Sequence, residues 1–116
     1  MEYLFIFNDS PHGNQRSYNG LRLAVSLSKA AEAQLSIFLL GDGVLCGLAG
    51  LNPAHADYNP QEMLLQLAGR GIPISACGTC MEARGIPAEA LIKGVKRSTL
   101  DELTEWTTAA GKVIGF

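Results

Sequence analysis

The sequence predicts an open, mostly parallel α/β sheet with helices on both of its faces. Three observations carry this. Short apolar runs occur without polar alternation, which suits strands covered on both sides. Helical periodicity fills the segments between them, and polar or glycine-bearing loops follow each run. The runs are YLFIF at 3–7, LSIFLL at 35–40 and IPISA at 72–76, with KVIGF closing the chain at 112–116. In sheets of this kind, ligands and chemistry collect at the carboxyl ends of the strands. NDSPHGNQ, GDGVLCG and CGTCMEARG are the three loops expected at that edge.

Taken in order, YLFIF is a buried strand opening into a polar loop. RSYNGLRLAVSLSKAAEA at 16–33 then reads as a helix with a broad apolar face, Leu21, Ala24, Val25 and Ser28 beside Leu23, Leu27, Ala30 and Ala31, interrupted by Gly20. LSIFLL repeats the strand-and-loop pattern, and Gly41 and Gly43 in GDGVLCG read as turn residues. That loop is no dinucleotide fingerprint, because Cys46 replaces its third glycine. Asn59 is a cap for the next helix, with Pro60 at its first position, Glu62 three after the cap, and Gly69 or Gly71 as its close. IPISA is the third strand, and ALIKGVK at 90–96 contains a short fourth one. Thr99 and Glu102 form a capping box for a last helix whose inward stripe is Leu100, Leu103, Trp106 or Thr107, and Ala110.

The chain of 116 residues has the length of one domain, taken here as 1–116. It is 47% apolar and 17% charged, below the usual quarter, which suggests that a partner subunit covers some surface. Nine Lys and Arg against eleven Asp and Glu, with no basic run, argue against binding nucleic acid through its phosphates. The first ten residues have no basic leader, and their apolar stretch is too short for a signal peptide or a membrane span. The expectation is a soluble, cytoplasmic protein with no membrane association. Its odd count of three cysteines argues for reduced, reactive thiols rather than a disulfide framework.

Two of those cysteines, Cys77 and Cys80, form a C-x-x-C at the end of the third strand. If a helix begins there, its unpaired N–H groups favour a Cys77 thiolate, the nucleophilic form. Gly78 allows close backbone approach, whereas Arg84 stands about two turns away, too far for much influence. Several readings compete. Both thiols are packing residues in one. In another they are a dithiol redox pair, although Ala76 precedes the motif where an aromatic is usual and the motif comes late in the chain. A zinc site needs Cys46, His12 and His55 to converge from separate loops, so no metal and no cofactor are expected. His12 is an acid or base only if its loop faces Cys77. Asp57 and Tyr58 read as loop spacing or rim contacts, and Trp106 as a core or subunit contact.

These segments together, NDSPHGNQRSYNGLRLA, FLLGDGVLCGLAG, YNPQEMLLQL, GIPISACGTCMEARGI and TLDELTEWTTAAGKVIGF, resemble the DsrE/DsrF-like family, in its YchN-like branch, over essentially the whole chain. The resemblance implies a three-layer α/β/α fold around a five-stranded, mostly parallel sheet, and a homo-oligomer, hexameric in that branch. It also implies sulfur handling. Related relay subunits such as TusD and DsrE accept sulfane sulfur on one cysteine as a persulfide and pass it on. That cysteine lies eight residues before the glycine of an RG pair, which corresponds to Cys77 before Gly85. On this reading the protein is a sulfur carrier or sulfurtransferase with donor and acceptor proteins as partners and no direct contact with nucleic acid. Cys80, one turn on, attacks the persulfide or merely accompanies it, and Cys46 joins the site if it approaches Cys77 across a subunit boundary. The alternatives are a thiol-disulfide redox protein using Cys77 and Cys80, and a non-catalytic oligomeric binding protein.

Overall fold

A computed structural model of the chain describes residues 1–51 and 59–116. His55, Asp57 and Tyr58 lie outside the described residues. Five strands, β1 (Glu2–Phe7), β2 (Gln34–Leu39), β3 (Ile74–Cys77), β4 (Val95–Ser98) and β5 (Lys112–Gly115), form one sheet in the order β4-β3-β2-β1-β5. Every pairing is parallel, so the carboxyl ends of all five strands lie on one edge. The helices are α1 (Arg16–Leu27), α2 (Pro60–Gly69), α3 (Gly78–Ala83) and α4 (Leu100–Ala109).

Two helical layers enclose the sheet. Phe5 and Phe7 project to the face where α1 and α2 pack, and their rings stack with Phe116 at centroid separations of 6.4 and 5.8 Å. Gly20 on α1 is what permits this closeness, since a Cβ there would stand 2.5 Å from the Phe7 ring. Phe38 and Ser75 project to the opposite face, where Trp106 of α4 meets Phe38 edge-on and Glu102 of α4 meets Ser75. The expected three-layer α/β/α arrangement is therefore present, with the interior strands β1, β2 and β3 supplying seven of the twelve largest fully buried side chains among the described residues.

The expected helix over 16–33 ends at Leu27 instead. Ser28 Oγ donates to the Val25 carbonyl, and Lys29 and Ala30 donate three residues back, so the backbone tightens out of the α-helix. This turn delivers Gln34 N–H to the Met1 carbonyl and sets the register of β2 on β1. Leu23, Ala30 and Ala31 are exposed, which leaves Leu21 and Ala24 as the buried stripe. The fourth strand begins at Val95, near the end of the expected ALIKGVK segment. The α2 termini match expectation, with Asn59 Oδ1 accepting from Glu62 N–H at 3.1 Å.

Half of the expected capping box at α4 forms. Thr99 Oγ1 accepts from Glu102 N–H at 3.3 Å, but the Glu102 carboxylate turns to the sheet. There it accepts from Ser75 Oγ at 2.6 Å, Ser98 Oγ at 2.7 Å and Lys96 Nζ at 2.9 Å. Leu100, expected inward, is exposed because this carboxylate fixes which face of α4 lies down. One side chain thus ties β3 and β4 to α4 directly below the cysteine loop.

Burial pushes the Glu102 carboxyl upward, but the hydrogen bonds from Ser75, Ser98 and Lys96 outweigh it and hold the group below its ordinary range. A lowered native pKa contributes stability above the unfolded value that is lost as pH falls through the native one. Glu102→Gln is therefore expected to cost about 1–2 kcal/mol at neutral pH, the scale of hydrogen bonds to a charged group. In denaturant melts the gap from wild type should narrow as pH falls below about 4.3, the ordinary glutamate value.

Candidate functional site

All four residues of β3 are buried, and its last, Cys77, is also the N-cap of α3. An N-cap places its side chain against the first free N–H groups of the helix, a position usually held by a serine or aspartate oxygen. Here a sulfur occupies it. Cys77 Sγ accepts from Cys80 N–H at 3.3 Å, lies 3.3 Å from the Thr79 hydroxyl, and receives the Cys80 thiol at 2.7 Å. Burial raises the pKa of Cys77, but these bonds, the Cys80 thiol foremost and Thr79 next, outweigh it and bring the thiol below its ordinary value.

Cys80 is shifted the other way. Burial comes first among the causes, followed by its role as donor to Cys77, and the Gly41 N–H at 3.2 Å and the Arg84 charge offset this only in part. The pair therefore splits in acidity: of the two thiols, Cys77 is the more acidic and Cys80 the less. No disulfide joins them, but at 2.7 Å the two sulfurs stand inside van der Waals contact, within reach of the about 2.05 Å of a disulfide.

Two of the loops expected at the strand ends, GDGVLCG and CGTCMEARG, meet here. Residues Gly41–Gly47 form a 3₁₀ turn rather than an open loop. Gly41 has a left-handed φ of +57°, and a Cβ on Gly43 would stand 1.9 Å from the Phe7 carbonyl oxygen, so this turn packs directly on the end of β1. Arg84 bridges it to α3, donating to Asp42 Oδ1 through Nε at 3.0 Å and Nη2 at 2.8 Å, and to the Cys80 carbonyl through Nη1 at 3.0 Å. Its main task is thus to hold the turn that presents Gly41, consistent with the small direct influence expected of it. Gly78 packs as expected, because a Cβ there would stand 2.8 Å from Arg97 Nε and 2.9 Å from the Ser98 carbonyl oxygen.

Cys46 is directed elsewhere. Its thiol is fully buried against the Asp9 carbonyl at 3.6 Å, and burial pushes its pKa to about 11. His12 is exposed on the β1–α1 loop, where its carbonyl accepts from Ser10 Oγ at 2.7 Å. Among the described residues, no group of three His, Cys, Asp or Glu side chains is placed to hold a metal ion. Thr79 and Gly41 adjoin the thiol pair, although the sequence marks Gly41 only as a turn residue and does not mark Thr79. The helix start expected beside Cys77 was the available signal for Thr79, since a cap side chain lies against the second and third residues after it.

Cys77 opens on a cleft of about 190 Å³ walled by Gly78, Thr79, Arg97, Ser98 and Leu100. A larger hollow of about 370 Å³ lies at the amino ends of the strands, between Gln34, Ser36, Arg70 and Ile72, and contains no thiol. The smaller one is the candidate site because it alone of the two holds a nucleophile.

Comparison with known proteins places this geometry. Protein YchN of Escherichia coli (strain K12) is 40% identical over 114 residues, covering 97% of both chains. The crystal structure of the ychN protein from E. coli superposes with a TM-score of 0.91 at 39% identity, over the whole of both chains. A protein TusC homolog of Vibrio parahaemolyticus is 25% identical over 115 residues, 97% of this chain and 96% of its own. The model of the DsrE/DsrF-like family matches residues 1–116, and the chain belongs to that family.

Proposed function

We propose that the protein accepts sulfane sulfur on Cys77 as a persulfide and passes it to an acceptor, working as a homo-oligomer, a hexamer on the family resemblance, in the cytoplasm. The observation that carries the reading is the convergence of Thr79, the Cys80 N–H and the Cys80 thiol on one strand-end sulfur. Membership of the DsrE/DsrF-like family and similarity to a TusC homolog support a sulfur-related role.

In the loading step the Cys77 thiolate attacks the outer sulfur of a donor persulfide, R–S–SH. A Cys77 Sγ–S bond forms, the donor S–S bond breaks, and the donor leaves as RS⁻. The product, Cys77–S–SH, keeps the donor's terminal proton; once that acidic proton passes to solvent the persulfide is an anion, and the donors that hold the thiolate are of the right kind to hold it. Transfer onward repeats the same exchange, with an acceptor thiolate attacking the outer sulfur and Cys77 leaving.

The 2.7 Å approach of Cys80 favours a second use of the pair. The Cys80 thiolate attacks Cys77 Sγ of the persulfide, HS⁻ departs, and a Cys77–Cys80 disulfide remains, which a dithiol reductant must reopen with two electrons. In the thiol-disulfide redox reading the same disulfide forms without bound sulfur, by exchange with a substrate disulfide that takes up the two electrons and leaves as a dithiol.

Intact mass spectrometry after exposure to a small-molecule persulfide, with differential alkylation, tests the assignment. A sulfur adduct is expected in Cys80→Ser, where nothing resolves it, and is absent from Cys77→Ser; wild type carries the adduct or, where Cys80 has resolved it, the disulfide with released sulfide. An adduct that survives in Cys77→Ser sinks the proposal, and disulfide formation without any adduct favours the redox reading.

The lowered Cys77 pKa also has a kinetic signature. Its alkylation by iodoacetamide should stay fast at pH 7 and reach half its maximal rate below the ordinary thiol value of about 8.5. Thr79→Val removes one donor to the thiolate, so the midpoint should rise, and Thr79→Ser should restore it. Equal midpoints in all three proteins would show that the hydroxyl does not hold the thiolate.

A further inference from the structure

The cleft beside Cys77 contains a cation that the thiol chemistry leaves unused. Arg97 lies on β4 in register with Ala76, one residue before the Ser98 that pairs with Cys77. Its Nε would be 2.8 Å from a Cβ on Gly78, and its side chain walls the cleft opposite Thr79. The Cys77 sulfur takes its hydrogen bonds from Thr79 and Cys80, none from Arg97. Arg84, by contrast, is committed to Asp42 and the Cys80 carbonyl.

Among the described residues, Arg97 has one ion pair, a loose one from Nη2 to Glu82 Oε2 at 3.6 Å between side chains 44% and 76% exposed. Exposed pairs of this kind are weak, so the guanidinium is available to a molecule entering the cleft. Its planar fork matches a carboxylate in two-point contact. The volume of about 190 Å³ limits the occupant, falling below the roughly 300 Å³ at which pockets begin to hold drug-sized ligands. Exposed Leu100 adds an apolar lip suited to a short carbon chain.

We propose that Arg97 binds the carboxylate of a low-molecular-weight persulfide donor, of which cysteine persulfide is the simplest form, and so sets donor preference at Cys77. This rests on the persulfide reading of Cys77 and adds the substrate class to it. The carboxylate is held at Arg97 while the outer sulfur meets the Cys77 thiolate. The donor S–S bond breaks, the donor thiolate leaves, and the terminal proton stays with the transferred sulfur, with no net oxidation.

The test uses two pairs of reagents on wild type, Arg97→Gln and Arg97→Lys, with modification of Cys77 followed by peptide mass spectrometry. Iodoacetate and iodoacetamide are nearly isosteric and differ in the carboxylate. Both read the same thiolate, so their rate ratio is insensitive to any change in its population. Arg97→Gln is expected to lower the iodoacetate-to-iodoacetamide ratio about fivefold, the scale of one charge-assisted contact, with Arg97→Lys recovering part of it. Sulfur loading from cysteine persulfide should fall similarly, while loading from cysteamine persulfide, which has no carboxylate, should not.

An unchanged iodoacetate-to-iodoacetamide ratio overturns the proposal, as does an equal loss with both persulfides, which would mean that Arg97 only shapes the loop. A ratio that falls in a protein forming no persulfide supports the anion subsite and removes the sulfur reading on its own.

Discussion

Cys77 is held by two secondary structures at once, and the rest of the site follows from that. As the last residue of β3 it cannot move without disturbing a fully buried strand, and as the cap of α3 it faces the N–H groups that open the helix. A serine or aspartate in this place would stabilise a helix. A cysteine there also sets its own acidity, because the donors that satisfy the cap are those that hold a thiolate.

Two chain segments distant in sequence, Gly41–Asp42 and Ser98–Glu102, keep this cap in place. Gly41 comes from the end of β2 and reaches Cys80 across 39 residues, and Arg84 clamps its neighbour Asp42 to α3. From the other face of the sheet, Glu102 draws Ser75 and Ser98 together two residues before Cys77 and at its register partner. The site therefore has rigid support on both sides, while the cleft it opens is walled by exposed Thr79, Arg97 and Leu100. Firm placement of the nucleophile and an open approach for the donor are what a group-transfer site requires.

Much of this is legible from local chemistry. The Asn59 cap, the apolar strand runs, the C-x-x-C at a strand end and the gathering of three loops at one edge all follow from spacing and residue type. The family resemblance supplies the strand count. What escapes the sequence depends on contacts across the fold. The early end of α1 is set by Ser28 and by the register of β2, not by any helix-breaking residue. Glu102 leaves the capping box for the sheet because Ser75, Ser98 and Lys96 wait there, and Leu100 turns outward as a result. Gly43 reads as a turn residue, yet the Phe7 carbonyl is what excludes a side chain from it. Gly41 reaches its thiol through a backbone N–H, which no residue type announces.

The two neighbouring thiols differ in acidity, and that difference can be observed without any substrate. Cysteines labelled with ¹³C at Cβ report deprotonation through the chemical shift, with Cys77→Ser and Cys80→Ser assigning the signals. The reduced protein should lose its first proton in the coupled pair from Cys77, below the ordinary thiol value, with Cys80 titrating above it. If Cys80 ionises first, or both titrate together at an ordinary value, the strand-end cap does not select Cys77, and its assignment as the sulfur-bearing nucleophile fails.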